Sequence, residues 1–256
     1  MSPKLVLVEP AGPLNVGSVA RLCRTYGLEE LRLVAPRCDH LGEEARRMAV
    51  KALPLLQEAV VFPTLAEALA DCGRVVATSG RPEGEPLPLQ SPDEALAWLL
   101  AGDQPHPAAL VFGREDRGLS NDELLQAGRL LQVPVPTSHG SLNLSHAVAV
   151  VLHDLHRLQR LGSAIEPAAA PQPLAEPPLA EPPCPRGELE AMLADARELL
   201  LEVGFLLPHT AHARMAKLRA LLQRGQVSSP DVALLRGMVC QLRWASRRPF
   251  PSPQDH

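Results

Sequence analysis

The chain has 256 residues, 46% of them hydrophobic and 21% charged, with a formal net charge of −4. That length holds one full α/β domain and a smaller appendage, and the composition is that of an ordinary soluble protein. No run reaches the ~18 apolar residues of a membrane span, residues 5–8 are too short an apolar run for a signal peptide, and the overall charge gives no case for a globally basic nucleic-acid coat.

From the amino terminus onward, short apolar runs alternate with helix-like stretches. Strands are predicted over residues 5–8, 31–35, 60–62, 75–78, 109–112 and 131–135, with helices over 16–26, 43–53, 65–70, 93–101 and 121–127. This alternation predicts an α/β fold, a parallel sheet with helices on both faces. After Asn143 the apolar positions Leu144, Ala147, Val148, Val151, Leu152, Leu155 and Leu158 recur at helical spacing, so a long amphipathic helix is expected, ending near Gly162. Residues 1–162 are therefore taken as one domain. Residues 163–187, rich in Pro, Ala and Glu, read as an extended linker. Helices over 188–202, 211–224 and from Ser229 or Pro230 to Trp244 make a small module spanning 188–246, and 247–256 is expected to be a disordered tail.

Between residues 203 and 248 there are eight basic side chains against the single acid Asp231. That local bias favours RNA over a purely structural tail. With two Trp, one Tyr and four Phe in the chain, a base-stacking platform is not expected, and RNA contact should be mainly electrostatic. The five cysteines are scattered and form no C-x-x-C pair, which argues against a disulfide framework or a zinc site and fits a reducing cytoplasm. His153 and His156, and His209 and His212, are each three apart, but no carboxylate or cysteine completes a set of ligands, so no metal is expected.

Neither a G-x-G-x-x-G turn nor a phosphate-binding G-x-x-x-x-G-K-[ST] loop is present, which disfavours dinucleotide and triphosphate chemistry. Three other loops stand where parallel sheets bind ligands, beyond the carboxyl ends of strands. The first runs from Glu9 to Arg21: Asn15 is placed to cap a helix, Gly17 allows close approach of another segment, and Arg21 lies inside the helix. The second, Gly113 to Asn121, ends a strand in glycine and carries a charged turn with a helix cap at Ser120 or Asn121. The third follows Val133-Pro134-Val135-Pro136 and opens the long helix through Ser141-Leu142-Asn143.

The stretches PLNVGSVAR, LVFGREDRGLSNDEL and VPVPTSHGSLNLSHAVAV resemble, in order and spacing, the three motifs of the SpoU-TrmH branch of the SPOUT RNA methyltransferases, over about residues 4 to 160. The distal part, from LLLEVGFLLPHTAHARMAKL onward, resembles the carboxyl-terminal module of TrmJ-type tRNA methyltransferases. The resemblance implies a trefoil-knotted SPOUT fold, an obligate homodimer, S-adenosylmethionine as cofactor, and 2′-O-methylation of tRNA at nucleotide 32 of the anticodon loop. It also implies a cofactor pocket from Thr78, Ser79, Gly80, Gly113, Val133, Leu142 and Asn143, with Arg21, Ser141 and Asn15 as the reactive set.

A guanidinium with a pKa above ~12 is a poor base. Arg21 is therefore read as an electrostatic stabiliser of the attacking ribose oxygen and an orienter of the neighbouring phosphate. His139 is taken as an ordinary polar loop residue. Glu83, after Arg81-Pro82, departs from the basic character expected of an RNA-facing loop. The competing readings are methylation of another RNA such as rRNA, a non-catalytic RNA-binding factor on the same fold, and a small-molecule α/β binder whose tail only dimerises.

Overall fold

The computed structural model describes residues 2–80, 86–102, 105–135, 142–164 and 182–247. Within them, β1 (Lys4–Val8), β2 (Leu31–Val34), β3 (Val60–Phe62), β4 (Arg74–Thr78), β5 (Leu89–Gln90), β6 (Ala108–Phe112) and β7 (Arg129–Leu131) form one sheet ordered β3-β2-β1-β6-β4-β7-β5. Every pairing is parallel. Parallel strands buried on both faces read as continuous apolar runs, and alternate residues serve opposite layers. Leu5 and Leu7 of β1 join one core, Val6 and Val8 the other.

The first core lies under α1 (Pro13–Thr25), α2 (Glu43–Ala49), α3 (Leu53–Gln57), α5 (Pro92–Leu100) and α7 (Leu144–Ala164); the second lies under α4 (Leu65–Ala68) and α6 (Asn121–Leu124). The predicted two-faced α/β architecture is therefore present. Its helix starts are encoded locally: Pro13 sits in the first turn of α1, and Ser91 and Ser120 make reciprocal capping boxes with Glu94 and Glu123.

Several boundaries differ from the sequence expectation. The strand predicted at 131–135 is β7, ending at Leu131; it pairs with β4 on one side and β5 on the other. Pro134 cannot donate to such a doubly paired ladder and lies beyond it. The helix predicted over 43–53 is interrupted at Val50, whose φ of 50° lies on the left-handed side, and a single 3-10 turn leads into α3. β5 was not anticipated because two residues carry no periodicity. Gly162 does not stop α7, which continues to Ala164. Residues 136–141, whose path decides whether the chain is knotted, lie outside the described residues, as do Glu83, His139 and 165–181 of the expected linker.

Three further helices, α8 (Arg186–Glu202), α9 (Pro208–Arg224) and α10 (Ser229–Ser246), share a core of Leu189, Met192, Leu193, Leu206, Met215 and Val232. The module begins two residues before its predicted start, and it docks on the sheet domain. The backbone N–H groups of Arg186 and Gly187 donate to Cys72 O (3.1 Å) and Ala70 O (2.9 Å), just ahead of β4, so α8 starts at the amino edge of the sheet. α9 returns along the second layer. Its Ala220 is buried in that core, Gln223 lines a small cavity together with Gly73 at the amino edge, and His212 lies 3.0 Å from Asp122 in the first turn of α6.

Candidate active site

Sheet order decides which loops meet. β1, β6, β4 and β7 are consecutive neighbours, so the segments leaving their carboxyl ends lie side by side, where the chain has gone to β2 and β3 on one hand and β4 on the other. Thr78 Oγ1 donates to Val111 O (3.2 Å) and Ser79 N to Leu131 O (3.0 Å), pinning the end of β4 to both neighbours. Gly80 follows, exposed, with open space where a side chain would begin. After β6, the turn from Arg114 closes on itself, Gly118 N donating to Arg114 O at 3.0 Å. A Cβ on Gly113 would stand 2.4 Å from Gly118 C and Leu119 N, so only glycine fits there.

The first loop is tied to the second by a residue that sequence reasoning missed. Glu115 accepts hydrogen bonds from Ala11 N, Gly12 N and Asn15 Nδ2, each at 3.0 Å. It supplies, from across the sheet, the carboxylate that the positive end of α1 favours. Burial opposes its charge, but the bonds from Ala11, Asn15 and Gly12 outweigh burial and hold its pKa below the usual glutamate value. Asn15 is consequently not the helix cap expected of it: Gly12 is the N-cap, and Asn15 lies within the first turn with its amide nitrogen committed to Glu115. Gly17 behaves as expected, since a Cβ there would lie 2.1 Å from Ala45 O, the contact that seats α2 on α1.

Arg21 stands further along α1, exposed, and has no ion partner among the described residues. The arginines around the end of β1 are tied down. Glu9, at the end of β1 with φ 46°, holds Arg37 at 2.6 Å and Arg114 at 2.9 Å, and Arg114 also pairs with Asp116 at 2.6 Å.

The third loop supplies apolar walls and a helix start. Val133 is half-buried and packs on the first core, while Leu142 leaves 40% of its surface exposed. Asn143 caps α7: its Oδ1 accepts from Ser145 N (2.9 Å) and its carbonyl from Ala147 N (2.9 Å). Ser141 lies outside the described residues. The structure thus brings Thr78, Ser79, Gly80, Gly113 and Val133 to one edge, beside the loop that carries Asn15. Backbone groups, short polar side chains and apolar walls suit an uncharged nucleoside with a small amino-acid arm better than a phosphate. Among the described residues no group of three His, Cys, Asp or Glu is placed to hold a metal.

Residues 2–153 match the model of the SpoU rRNA Methylase family, and residues 187–250 match the tRNA methyltransferase TrmJ, C-terminal domain. The chain belongs to the SpoU rRNA Methylase family. Within it, the chain is 34% identical over 244 residues to the tRNA (cytidine/uridine-2'-O-)-methyltransferase TrmJ of Klebsiella pneumoniae, covering 93% of this chain and 95% of that protein. It is 33% identical over 245 residues, 95% of each chain, to the tRNA (cytidine/uridine/adenosine-2'-O-)-methyltransferase TrmJ of Pseudomonas aeruginosa. Among solved structures, TrmJ from Z. mobilis ZM4 superposes with a TM-score of 0.80 at 33% identity, over 94% of this chain and 99% of that one.

For a SpoU family member the helical module holds a surprise. Four of the arginines that make the tail look basic are neutralised by α8. Arg219 forks onto Glu190 (2.7 and 2.8 Å), Arg236 reaches Asp195 (2.8 Å), Arg243 faces Glu198 (3.6 Å) and Arg247 meets Glu202 (3.1 Å). The charge window from 203 to 248 left out these acids, which precede it in the chain and lie beside it in space.

Proposed function

We propose that this chain transfers a methyl group from S-adenosylmethionine to a ribose 2′-hydroxyl of tRNA, at nucleotide 32 of the anticodon loop. One observation carries the reading: the strands that lead into the three motif segments end on one sheet edge, in a chain that matches tRNA 2′-O-methyltransferases over 93% of its length.

Bound S-adenosylmethionine supplies a methyl group already activated for transfer. Thr78, Ser79, Gly80, Gly113, Val133, Leu142, Asn143 and Ser141 would hold it through backbone groups and apolar walls. Arg21 is the charge available for the ribose. A guanidinium stays protonated at neutral pH, so its role is to stabilise the oxygen as it loses its proton and to fix the adjacent phosphate. Asn15 acts by positioning, through Glu115, the helix that carries Arg21.

The enzyme works as a homodimer in the cytoplasm. Leu14 of α1 and Val150 and Leu161 of α7 are exposed apolar side chains on helices that pack side by side, and a second copy would cover them. Among the described residues no helix is long and apolar enough to cross a membrane. Residues 1–164 form the methyltransferase domain and 186–246 the tRNA-binding module, joined by the Pro- and Ala-rich linker. Incubating purified protein with labelled S-adenosylmethionine and an unmodified tRNA transcript should yield one ribose resistant to alkaline cleavage, at nucleotide 32. Intact cofactor binding without methyl incorporation into tRNA would refute the proposal.

A further inference from the structure

Exposed at the corner between α8 and α9 is an aromatic ring with a cation beside it. Phe205 leaves 63% of its surface in solvent, while the next residue, Leu206, is 2% exposed in the module core. The turn is fixed. Gly204 takes the left-handed conformation (φ 74°) that ends α8, and Leu206 N donates to Leu200 O at 2.8 Å. Arg214, nearly two turns into α9, donates from Nη1 to Phe205 O (3.1 Å) and stands 5.9 Å from the ring centroid. Lys217 follows three residues later on the same helix face, also exposed. Neither cation has a carboxylate partner among the described residues, and the sequence contains no acid between Glu202 and Asp231.

The placement matters as much as the chemistry. α8 begins at the amino edge of the sheet and runs 17 residues, about 25 Å at the helical rise. α9 passes back from the level of Asp122, in the helix that follows the Gly113 loop, to Gly73 at the amino edge. The corner that joins them therefore stands at the carboxyl-edge end, on the side of the site loops.

We infer that Phe205 is a stacking site for an unpaired nucleobase of the RNA substrate, with Arg214 and Lys217 taking the flanking phosphates. This rests on the reading of the chain as a tRNA enzyme. An aromatic face accepts any base, and a guanidinium held at its edge adds attraction for the backbone. Charge complementarity selects RNA over an acid-poor protein partner: the corner offers two cations without a carboxylate partner, while the acid that ends α8, Glu202, is already paired with Arg247. It also reverses the expectation from the scarcity of aromatics, since one ring in the right place suffices.

Binding of a fluorescent anticodon-arm hairpin to the full-length protein tests the inference. Phe205→Ala should weaken binding about tenfold, as expected for losing one stacked base. Phe205→Trp should restore affinity to within about threefold and show indole quenching on RNA addition. Turnover at saturating tRNA and cofactor affinity should stay unchanged, so the defect falls in KM and not in kcat. Unaltered hairpin affinity in Phe205→Ala would overturn the inference, as would a change in the sedimentation of RNA-free protein, which would assign the ring to a second copy. Phe205-dependent hairpin binding without methyl transfer would refute the methyltransferase reading and leave the stacking site standing. Methyl transfer with affinity indifferent to residue 205 would do the reverse.

Discussion

On α1, Arg21 stands exposed without an ion partner among the described residues, while the charged loop after β6 is cross-tied through Glu9 and Asp116. In the helical module the situation is inverted: four of the eight basic side chains face acids of α8, while Arg214 and Lys217 stay open beside Phe205. Exposed ion pairs of this kind add only ~0–1 kcal/mol each to stability, but each cancels a field that RNA would otherwise feel. The lesson is that charge counted along a window predicts binding only after the pairs closed in space are subtracted.

The largest effect should come from the unpaired charge. Arg21→Ala should lower turnover by about 10²–10³-fold, the usual loss for a group stabilising a developing oxyanion, with cofactor affinity by calorimetry unchanged. Unchanged turnover would move the chemistry elsewhere. Next comes the cross-tied loop: Gly113→Ala forces a Cβ to within 2.4 Å of the Gly118–Leu119 backbone. It should cost about 1–3 kcal/mol in denaturant unfolding together with cofactor binding.

Glu115→Gln should give a loss of turnover of about tenfold, because the hydrogen-bonded charge that orients α1 is lost. Its pH signature is distinct. The folded-state pKa of Glu115 lies below the ordinary glutamate value of 4.5, so its contribution to stability is complete above that value and disappears as pH falls through the lower folded one. The variant should therefore lose stability less steeply than wild type on acidification below pH 4.5. A parallel slope would show that Glu115 is not the group responsible.

The smallest effect tests the closed pairs of the module. Glu190→Gln with Asp195→Asn should strengthen tRNA binding a few-fold and steepen its salt dependence by about one to two released counterions. Weaker binding would mean that these acids order the RNA surface and do not mask it.

Much of this was legible in the sequence where the signal is local. The buried strands showed as continuous apolar runs, the cap expected at Ser120 or Asn121 announced α6, and Gly17 marked a close backbone approach. What escaped depends on partners distant in the chain. Glu115 meets Asn15 across 100 positions because β1 and β6 are neighbours, and no window could have shown that Asn15 would be claimed by it. The acids of α8 were missed for the same reason. β5 is too short for any period, and the left-handed Val50 breaks a helix whose composition gives no warning.

The account stands on methyl transfer to a ribose oxygen of tRNA. The most direct measurement compares an unmodified tRNA transcript with the same molecule carrying a 2′-deoxy sugar at nucleotide 32, both incubated with the protein and labelled S-adenosylmethionine. The account predicts stoichiometric labelling of the first and none of the second. Equal labelling of both, or labelling of neither while the cofactor binds, would contradict it.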